Sequence, residues 1–302
     1  MDATARSAPT SERSLGSERT KEALVGYLFI AAPMLLYGTL FFYPIGYAIY
    51  ISRYDWGALG PIAPLGWENY RELFHDERFR IALENGLKFT AVFTIATMAL
   101  GLFVAVVVNN AVHGRGFFRS AFYFPAIASS AAITALALFI FSADGLFNRI
   151  TGLDRAWFGE SSTALWTIAG LNSWTTSGTV MLFYLAYLQS IPTDVYEAAA
   201  IDGAGAWRTF WKVTFPLLKP AHFFVLVVAM IGALQIFDQA FIVAGAEGGP
   251  NYSTMTVVLY LYNKAISSVE FGYAAAVGVV LFVGIFAITV VQRLIFGRPE
   301  VG

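Results

Sequence analysis

Six long apolar runs constrain this chain more than any other feature. They lie near residues 24–43, 87–108, 120–141, 163–189, 222–244 and 272–296. About 20 residues, each rising roughly 1.5 Å, cross a hydrocarbon core of about 30 Å. Inside that core every backbone N–H and C=O must be satisfied within the segment, so runs of this length are helices. They are too long and too little alternating for barrel strands. Six of them in 302 residues also exclude the core helices of a soluble protein. The fold class that follows is an all-α polytopic membrane protein with six transmembrane helices. Charged residues make up only 13% of the chain, against about a quarter in soluble domains.

The runs divide the sequence. Residues 1–22 are rich in Ser, Arg, Glu and Thr, which reads as a disordered tail. Residues 23–52 form the first transmembrane helix, with a bend expected at Pro44 because proline removes a backbone donor. That run is too long for the core of a cleaved signal and lacks a small-residue cleavage site, so it reads as a retained span. Residues 53–86 are a loop that opens on turn residues and closes on a helical pattern. Residues 87–296 carry the other five helices, and 297–302 are a second tail. Segment 142–162 is long enough for a short helix. Segment 246–270 opens on a Gly-Gly-Pro turn and holds an apolar stretch too short to span.

Lysines and arginines set the orientation. With the N-terminus inside, the inside segments hold 11 of the 19: Arg6, Arg13, Arg19, Lys21, Arg115, Arg119, Arg208, Lys212, Lys219, Arg293 and Arg298. The other 8 fall outside, so the bias places both termini in the cytoplasm. A net charge of −1 and the lack of a basic tract give no sign of nucleic-acid binding. The absence of cysteine excludes disulfides, thiolate metal sites and thiol catalysis. His75, His113 and His222 stand apart with no metal-ligand spacing, and each reads as a solvated or interfacial side chain.

Between the fourth and fifth runs lies the polar loop 191–220, with "EAAAIDGAGAWRTFWKVTFPLLKP" at 197–220. Asp194, with Glu197 three residues on, predicts a capped helix starting at Val195. Ala198, Ala199 and Ala200 favour that helix, and Gly203, after Asp202, is placed to end it in the left-handed conformation. A second helix is expected over 206–214, with Trp207, Phe210, Trp211 and Thr214 on one face and Arg208 and Lys212 elsewhere. Pro216 and Pro220 should stop it. Two readings fit. The segment lies in the membrane interface, with Arg208 and Lys212 at phosphates, or it is a knob that docks in a partner's groove. Exposed, acidic Glu197 favours the second, because anionic headgroups would not attract it.

This loop resembles the signature loop of the membrane subunits of binding-protein-dependent ATP-binding-cassette importers. The pattern is Glu-Ala-Ala, three residues, Gly, nine residues, Ile, one residue, Leu-Pro. Here it reads Glu197-Ala198-Ala199, Gly203, Val213 and Phe215-Pro216, with Val for Ile and Phe for Leu as the departures. "FFYPIGYAIYISRYDW" (41–56), "WENYRELF" (67–74), "GRGFFRSAFYFP" (114–125), "LQSIPTDVYEAAAIDGA" (188–204), "FD" (237–238) and "GGP" (248–250) are similar to the carbohydrate-uptake branch. Within it they look like the first of two permease subunits, of the maltose, lactose or glycerol-phosphate type. The resemblance covers about residues 25–295. It implies a type I importer permease in a bacterial cell membrane, paired with a homologous permease, two cytoplasmic ATPase subunits and an extracytoplasmic solute-binding protein. It also implies that 191–220 is the coupling loop, in which Glu197, Ala198, Ala199, Asp202, Gly203, Trp207, Arg208 and Pro216 engage the ATPase. ATP and Mg²⁺ would belong to those partners. No cofactor or metal is expected on this chain, which has no G-x-x-x-x-G-K-[ST] phosphate loop and is not expected to be an enzyme.

A sugar path wants amide, hydroxyl and aromatic groups facing the bundle interior. Run four offers Asn172, Trp174 and Thr176, with Thr175, Ser177 and Gly178 beside them. Such residues also serve as helix–helix packing. Run five offers Gln235 and Asp238, three apart and hence on one helical face. With Lys88 and Arg293 assigned to the span ends, Asp238 is the one charged side chain placed inside a span, and it serves either function or a structural tie. Tyr273 is a further candidate. Glycerol-phosphate or another polar solute could use the same architecture, although no basic residue lies in the path. An ion-coupled secondary transporter with Asp238 as its carboxylate is the rival outside this class. An enzyme acting on lipid-linked sugar would need paired carboxylates, and Asp144 and Asp154 show no such arrangement.

Overall fold

The computed structural model describes residues 12–110 and 114–296; residues 1–11, 111–113 (with His113) and 297–302 lie outside the described residues. The chain forms two compact units, residues 1–50 and 51–302.

The first unit is helical from its first described residue. Helix α1 (Glu12–Tyr37) leads through a wide turn at Gly38–Phe42 into α2 (Tyr43–Ile51). Residues 12–22, expected as part of a disordered tail, are therefore helical. Extending an existing helix adds one hydrogen bond per residue and avoids the cost of nucleation, and Glu, Arg, Lys, Ala and Leu in this stretch are good helix formers. The irregularity expected at Pro44 takes the form of the wide turn, where the Tyr43 N–H bonds to the Gly38 carbonyl. The turn contains residue 40, whose carbonyl the Pro44 ring would strike in a regular helix.

The second unit opens with a hairpin of β1 (Tyr54–Gly57) and β2 (Gly60–Pro64). This small antiparallel pair is a departure from an all-α chain. Helices α3 (Glu68–His75), α4 (Glu77–Asn110), α5 (Arg115–Ile127), α6 (Ser130–Ile140), α7 (Leu146–Thr151) and α8 (Ala164–Ser190) follow. Then come α9 (Thr193–Ile201), α10 (Ala206–Thr209), α11 (Phe215–Leu217), α12 (Lys219–Leu234), α13 (Asp238–Ala244), α14 (Val257–Tyr262) and α15 (Phe271–Phe296). Helical segments thus occupy all the expected runs. Among the described residues, Glu22–Ile51, Glu77–Asn110, Lys219–Ala244 and Phe271–Phe296 are long and apolar enough to cross a membrane. The 27-residue α8 is diluted by Asn172, Ser173, Thr175, Thr176 and Ser177.

Two runs expected to be continuous are broken. The third divides into α5 and α6, bent by 91°. Pro125 removes a backbone donor near the end of α5, and Ala128 turns extended (ψ 154°) ahead of the Ser129–Ser130 pair. The fifth divides at Gln235–Phe237, where Phe237 leaves the helical region (φ −138°) before α13 begins.

The core is built on α4 and α8, which run in the same direction. Val104, Ala105 and Val108 of α4 pack with Val180, Met181, Tyr184, Leu185 and Leu188 of α8 and with Leu218, Ala221 and Val225. Two glycines make these crossings possible. A Cβ on Gly101 would lie 2.3 Å from Val180 Cγ1, and one on Gly178 would lie 2.3 Å from the Phe122 carbonyl oxygen. At the end opposite the 191–220 loop, Leu73, Phe79, Met255, Tyr260, Tyr273 and Val277 form a second cluster.

Candidate functional site

Two regions carry polar chemistry that the core does not consume. The first is the loop 191–220. Helix α9 begins at Thr193 with Pro192 at the cap position and no side-chain cap bond. Asp194 therefore sits in the first turn and does not cap, so the expected capping box with Glu197 is absent. Negative charge there still suits the positive helix end. The helix ends as expected. Asp202 is the cap and Gly203 takes φ +71°. The Gly203 N–H donates to the Ala200 carbonyl at 3.0 Å, and the Ala204 N–H to the Ala199 carbonyl at 2.9 Å. This double closure satisfies carbonyls that a helix end would otherwise leave free.

Beyond the corner, α10 runs into a wide turn at Phe210–Thr214 and then α11. The second helical element thus extends to Leu217, beyond its expected end at 214. Pro216 does not stop it; it sits in the first turn of α11, two residues past the wide turn. Pro44 has the same relation to its own wide turn. Pro220 likewise lies in the first turn of α12. Trp207, Phe210, Trp211 and Phe215 form a chain of ring contacts 5.0–6.2 Å apart. Phe210, Trp211 and Thr214 line a groove of about 980 Å³ together with Phe103 and Val106 of α4 and Tyr196 of α9. The tip is bare: Ile201 is 86% and Trp207 76% exposed. Glu197, Ala198, Asp202, Arg208 and Pro216 are exposed as well, whereas Ala199 is buried. Among the described residues Glu197 and Arg208 have no ion-pair partner.

His222 joins this loop to the core. Its Nε2–H donates to the Phe215 carbonyl at 3.2 Å, which leaves Nδ1 to accept from the Tyr184 hydroxyl at 2.9 Å. It is a bonded structural residue rather than a freely solvated one, the first of the two alternatives expected; the interfacial alternative is not contradicted. Periodicity could not show this, because His222 on α12 finds its two partners on α8 and α11.

The second region is a cavity of about 370 Å³ between α4, α8 and the broken α12–α13 segment. Asn172, Thr176, Gln235 and Asp238 all line it, with Gln239. Phe89 and Phe93 stack at 5.5 Å on one wall and Phe237 lies on another. Gln235 and Asp238 converge for a different reason from the one expected. No helical face joins them, since Gln235 ends α12 and Asp238 starts α13. Both line the same cavity from either side of the break. Asn172 is 9% exposed, and its Nδ2 has no hydrogen-bond partner. Asp238 is the only charged lining residue.

Two expected path residues lie elsewhere. Trp174 faces a separate apolar cavity with Leu136, Trp157 and Trp166, because it is two residues from both Asn172 and Thr176 on the helix. Tyr273 is buried in a hydrogen-bonded cluster. Its hydroxyl and that of Tyr260 both donate to Asp76 Oδ2, the former at 3.0 Å, while Asp76 Oδ1 caps α4 through the Arg78 and Phe79 N–H groups. Burial alone would push the Asp76 carboxyl up. The Tyr260 and Tyr273 hydroxyls and the two backbone amides outweigh it and hold the group below its ordinary 3.8. Burial and the Asp76 bond push the Tyr260 hydroxyl far upward. Among the described residues no group of three or more His, Cys, Asp or Glu could hold a metal ion.

Comparison with known proteins covers both regions. A family described as "Binding-protein-dependent transport system inner membrane component" matches residues 97–300. The multiple sugar-binding transport system permease protein MsmF of Streptococcus mutans is 32% identical over 281 residues, covering 91% of this chain and 96% of that one. The sn-glycerol-3-phosphate transport system permease protein UgpA of Salmonella typhimurium is 32% identical over 272 residues, covering 88% and 92%. A chain from the crystal structure of a bacterial alginate ABC transporter, in complex with alginate pentasaccharide-bound periplasmic protein, superposes with a TM-score of 0.82. It is 19% identical and covers 93% of this chain and 96% of that one.

Proposed function

Because the chain belongs to the binding-protein-dependent transport system inner membrane components, we propose that it is one permease subunit of an ATP-driven importer for a neutral sugar, a disaccharide or oligosaccharide. The observation that carries the sugar reading is the cavity wall. It presents amides from Asn172 and Gln235, a hydroxyl from Thr176, apolar ring faces from Phe89, Phe93 and Phe237, and no Lys or Arg, while Gln239 Nε2 donates to Ser130 Oγ at 2.8 Å. Amides and carboxylates bond sugar hydroxyls, and flat rings cover the apolar faces of a pyranose. An anionic solute would meet Asp238 with no compensating cation.

The loop 191–220 is the handle. Its bare Ile201 and Trp207 and unpaired Glu197 and Arg208 suit a groove on a cytoplasmic ATPase subunit. Closure of two such subunits on ATP and Mg²⁺ would move the loop, and His222 would pass the movement to Tyr184 on α8. The spans, with those of a homologous second permease, would alternate the cavity between the two sides by rigid-body rocking. A solute-binding protein would deliver at the end carrying the hairpin and α14, with both termini of this chain in the cytoplasm. ATP hydrolysis would belong to those partner subunits.

Uptake by the four-component complex reconstituted in proteoliposomes tests this. Labelled neutral disaccharides and oligosaccharides should enter only with internal ATP and loaded binding protein. Preferential uptake of glycerol-phosphate or another charged solute would overturn the neutral-sugar reading. Uptake by this chain alone, driven by a proton gradient, would favour the ion-coupled carrier.

A further inference from the structure

The break between α12 and α13 leaves the Ile236 carbonyl outside the hydrogen-bond ladder of either helix. Deep in a membrane protein such a group needs a partner, because none is available from lipid. The partner comes from a distant loop. The Thr256 hydroxyl donates to the Ile236 carbonyl at 3.0 Å. The same oxygen accepts from the Leu259 N–H at 3.4 Å as the cap of α14. One hydroxyl is therefore held from both sides, in a side chain only 2% exposed.

The loop before it is built to deliver this residue. Gly248 takes φ +59°, and a Cβ there would lie 2.7 Å from the Met255 backbone, so the Gly-Gly-Pro segment folds directly against the strand leading to Thr256. The Thr254 N–H donates to the Gly248 carbonyl at 3.1 Å, and the Thr254 hydroxyl to the Gly249 carbonyl at 3.2 Å. Asn85 of α4 anchors the same loop from the core, its Nδ2 donating to the Tyr252 and Met255 carbonyls at 2.8 and 3.1 Å.

We propose that Thr256 is a positioning residue, a strut that holds the α12–α13 break in register so that Gln235 and Asp238 face the cavity. Ile236 lies between Gln235 and Asp238 in sequence, so the bond to its carbonyl fixes the backbone from which both side chains reach the cavity. The importance of this aim for transport rests on the reading of the cavity as a solute path.

Amide hydrogen exchange on the full transporter in nanodiscs tests the strut directly. Thr256→Val keeps the shape and removes the donor; Thr256→Ser restores it. The valine variant should speed exchange of the Gln235, Ile236 and Phe241 amides about tenfold, the effect of one net hydrogen bond, and the serine variant should not. Loss of the α14 cap would appear separately, in the amides of 257–260. Wild-type rates at 235–241 in the valine variant, or an increase spread evenly over α12, α14 and α15, would overturn the proposal. Thr256→Ala serves if the valine variant does not assemble. The solute-path reading has its own test: normal sugar uptake by Asp238→Asn would break that reading and leave the exchange result standing.

Discussion

The loop 191–220 and the cavity at the α12–α13 break handle polar groups in opposite ways. The loop is held by local bonds, with its corner closed within six residues by Gly203 and Ala204, and it leaves Ile201, Trp207, Glu197 and Arg208 exposed. The cavity has no local logic. Its residues come from α4, α8, α12 and α13, and the break that aims two of them is held by a threonine 20 positions further along the chain. A handle must keep its shape while it is pulled, so it benefits from closure within itself. In the proposed importer a path would have to change shape, which suits a cavity assembled from separate elements.

The sharpest way to break this comparison is Gly203→Asp. A Cβ at Gly203 meets nothing within 4 Å, so the change adds charge and some left-handed strain without a clash. Uptake should fall to background while the amount of complex in the membrane stays normal. Loss of the protein itself would show that the corner is needed for folding and not for docking. Next in size, Asn172→Ala and Asp238→Asn should each lower sugar uptake about tenfold, the effect of one hydrogen bond to the passing solute. Trp174→Ala, two residues away but facing another cavity, should lower it less than either in the same assay. Equal losses from Trp174 and Asn172 would remove the distinction between the two faces of α8. His222→Phe should keep the ring packing against Phe215 and Tyr184 yet lose both bonds. Its expected result is less sugar imported per ATP hydrolysed, with ATP hydrolysis itself retained.

The smallest effect concerns Asp76. Its carboxyl titrates lower in the folded chain than in the unfolded one, so ionised Asp76 contributes stability above the unfolded value near 3.8 and loses it as pH falls through the lower folded value. The stability difference between wild type and Asp76→Asn should stay flat from pH 7 to about 5 and shrink below about 4. Melting curves of the purified complex across that range measure it. A difference that already shrinks near pH 6 would mean the Tyr260 and Tyr273 bonds do not hold the charge.

These contrasts also explain what the sequence could reveal. Apolar length located the helical segments, since satisfying the backbone in lipid is a requirement on each run alone. The corner at Gly203 was legible for the same reason, since it closes within a few residues, whereas the cap before α9 and the continuation past Pro216 were not. Asn172, Thr176, Gln235 and Asp238 were legible as kinds of side chain and not as an arrangement. Spacing joins Gln235 to Asp238 on a continuous helix, and the helix breaks between them. Trp174 was misplaced because a cluster along the chain spreads over both sides of a helix. The roles of His222, Thr256 and Asp76 were hidden, because each depends on partners brought together only by the packing of distant elements.

The wide turn at Phe210–Thr214 has a consequence for helical phase. Each residue advances a helix by about 100°, so a turn with one extra residue rotates everything after it by about that angle. Phe215, and through it the carbonyl that His222 grips, faces a direction that the count from Trp207 would not place it in. Removing a single residue from 210–214 would restore an even helix and re-clock the end of the handle against the core. The loop would keep its composition and lose its aim, so in the proposed importer register along this segment would matter to coupling as much as the side chains at its tip.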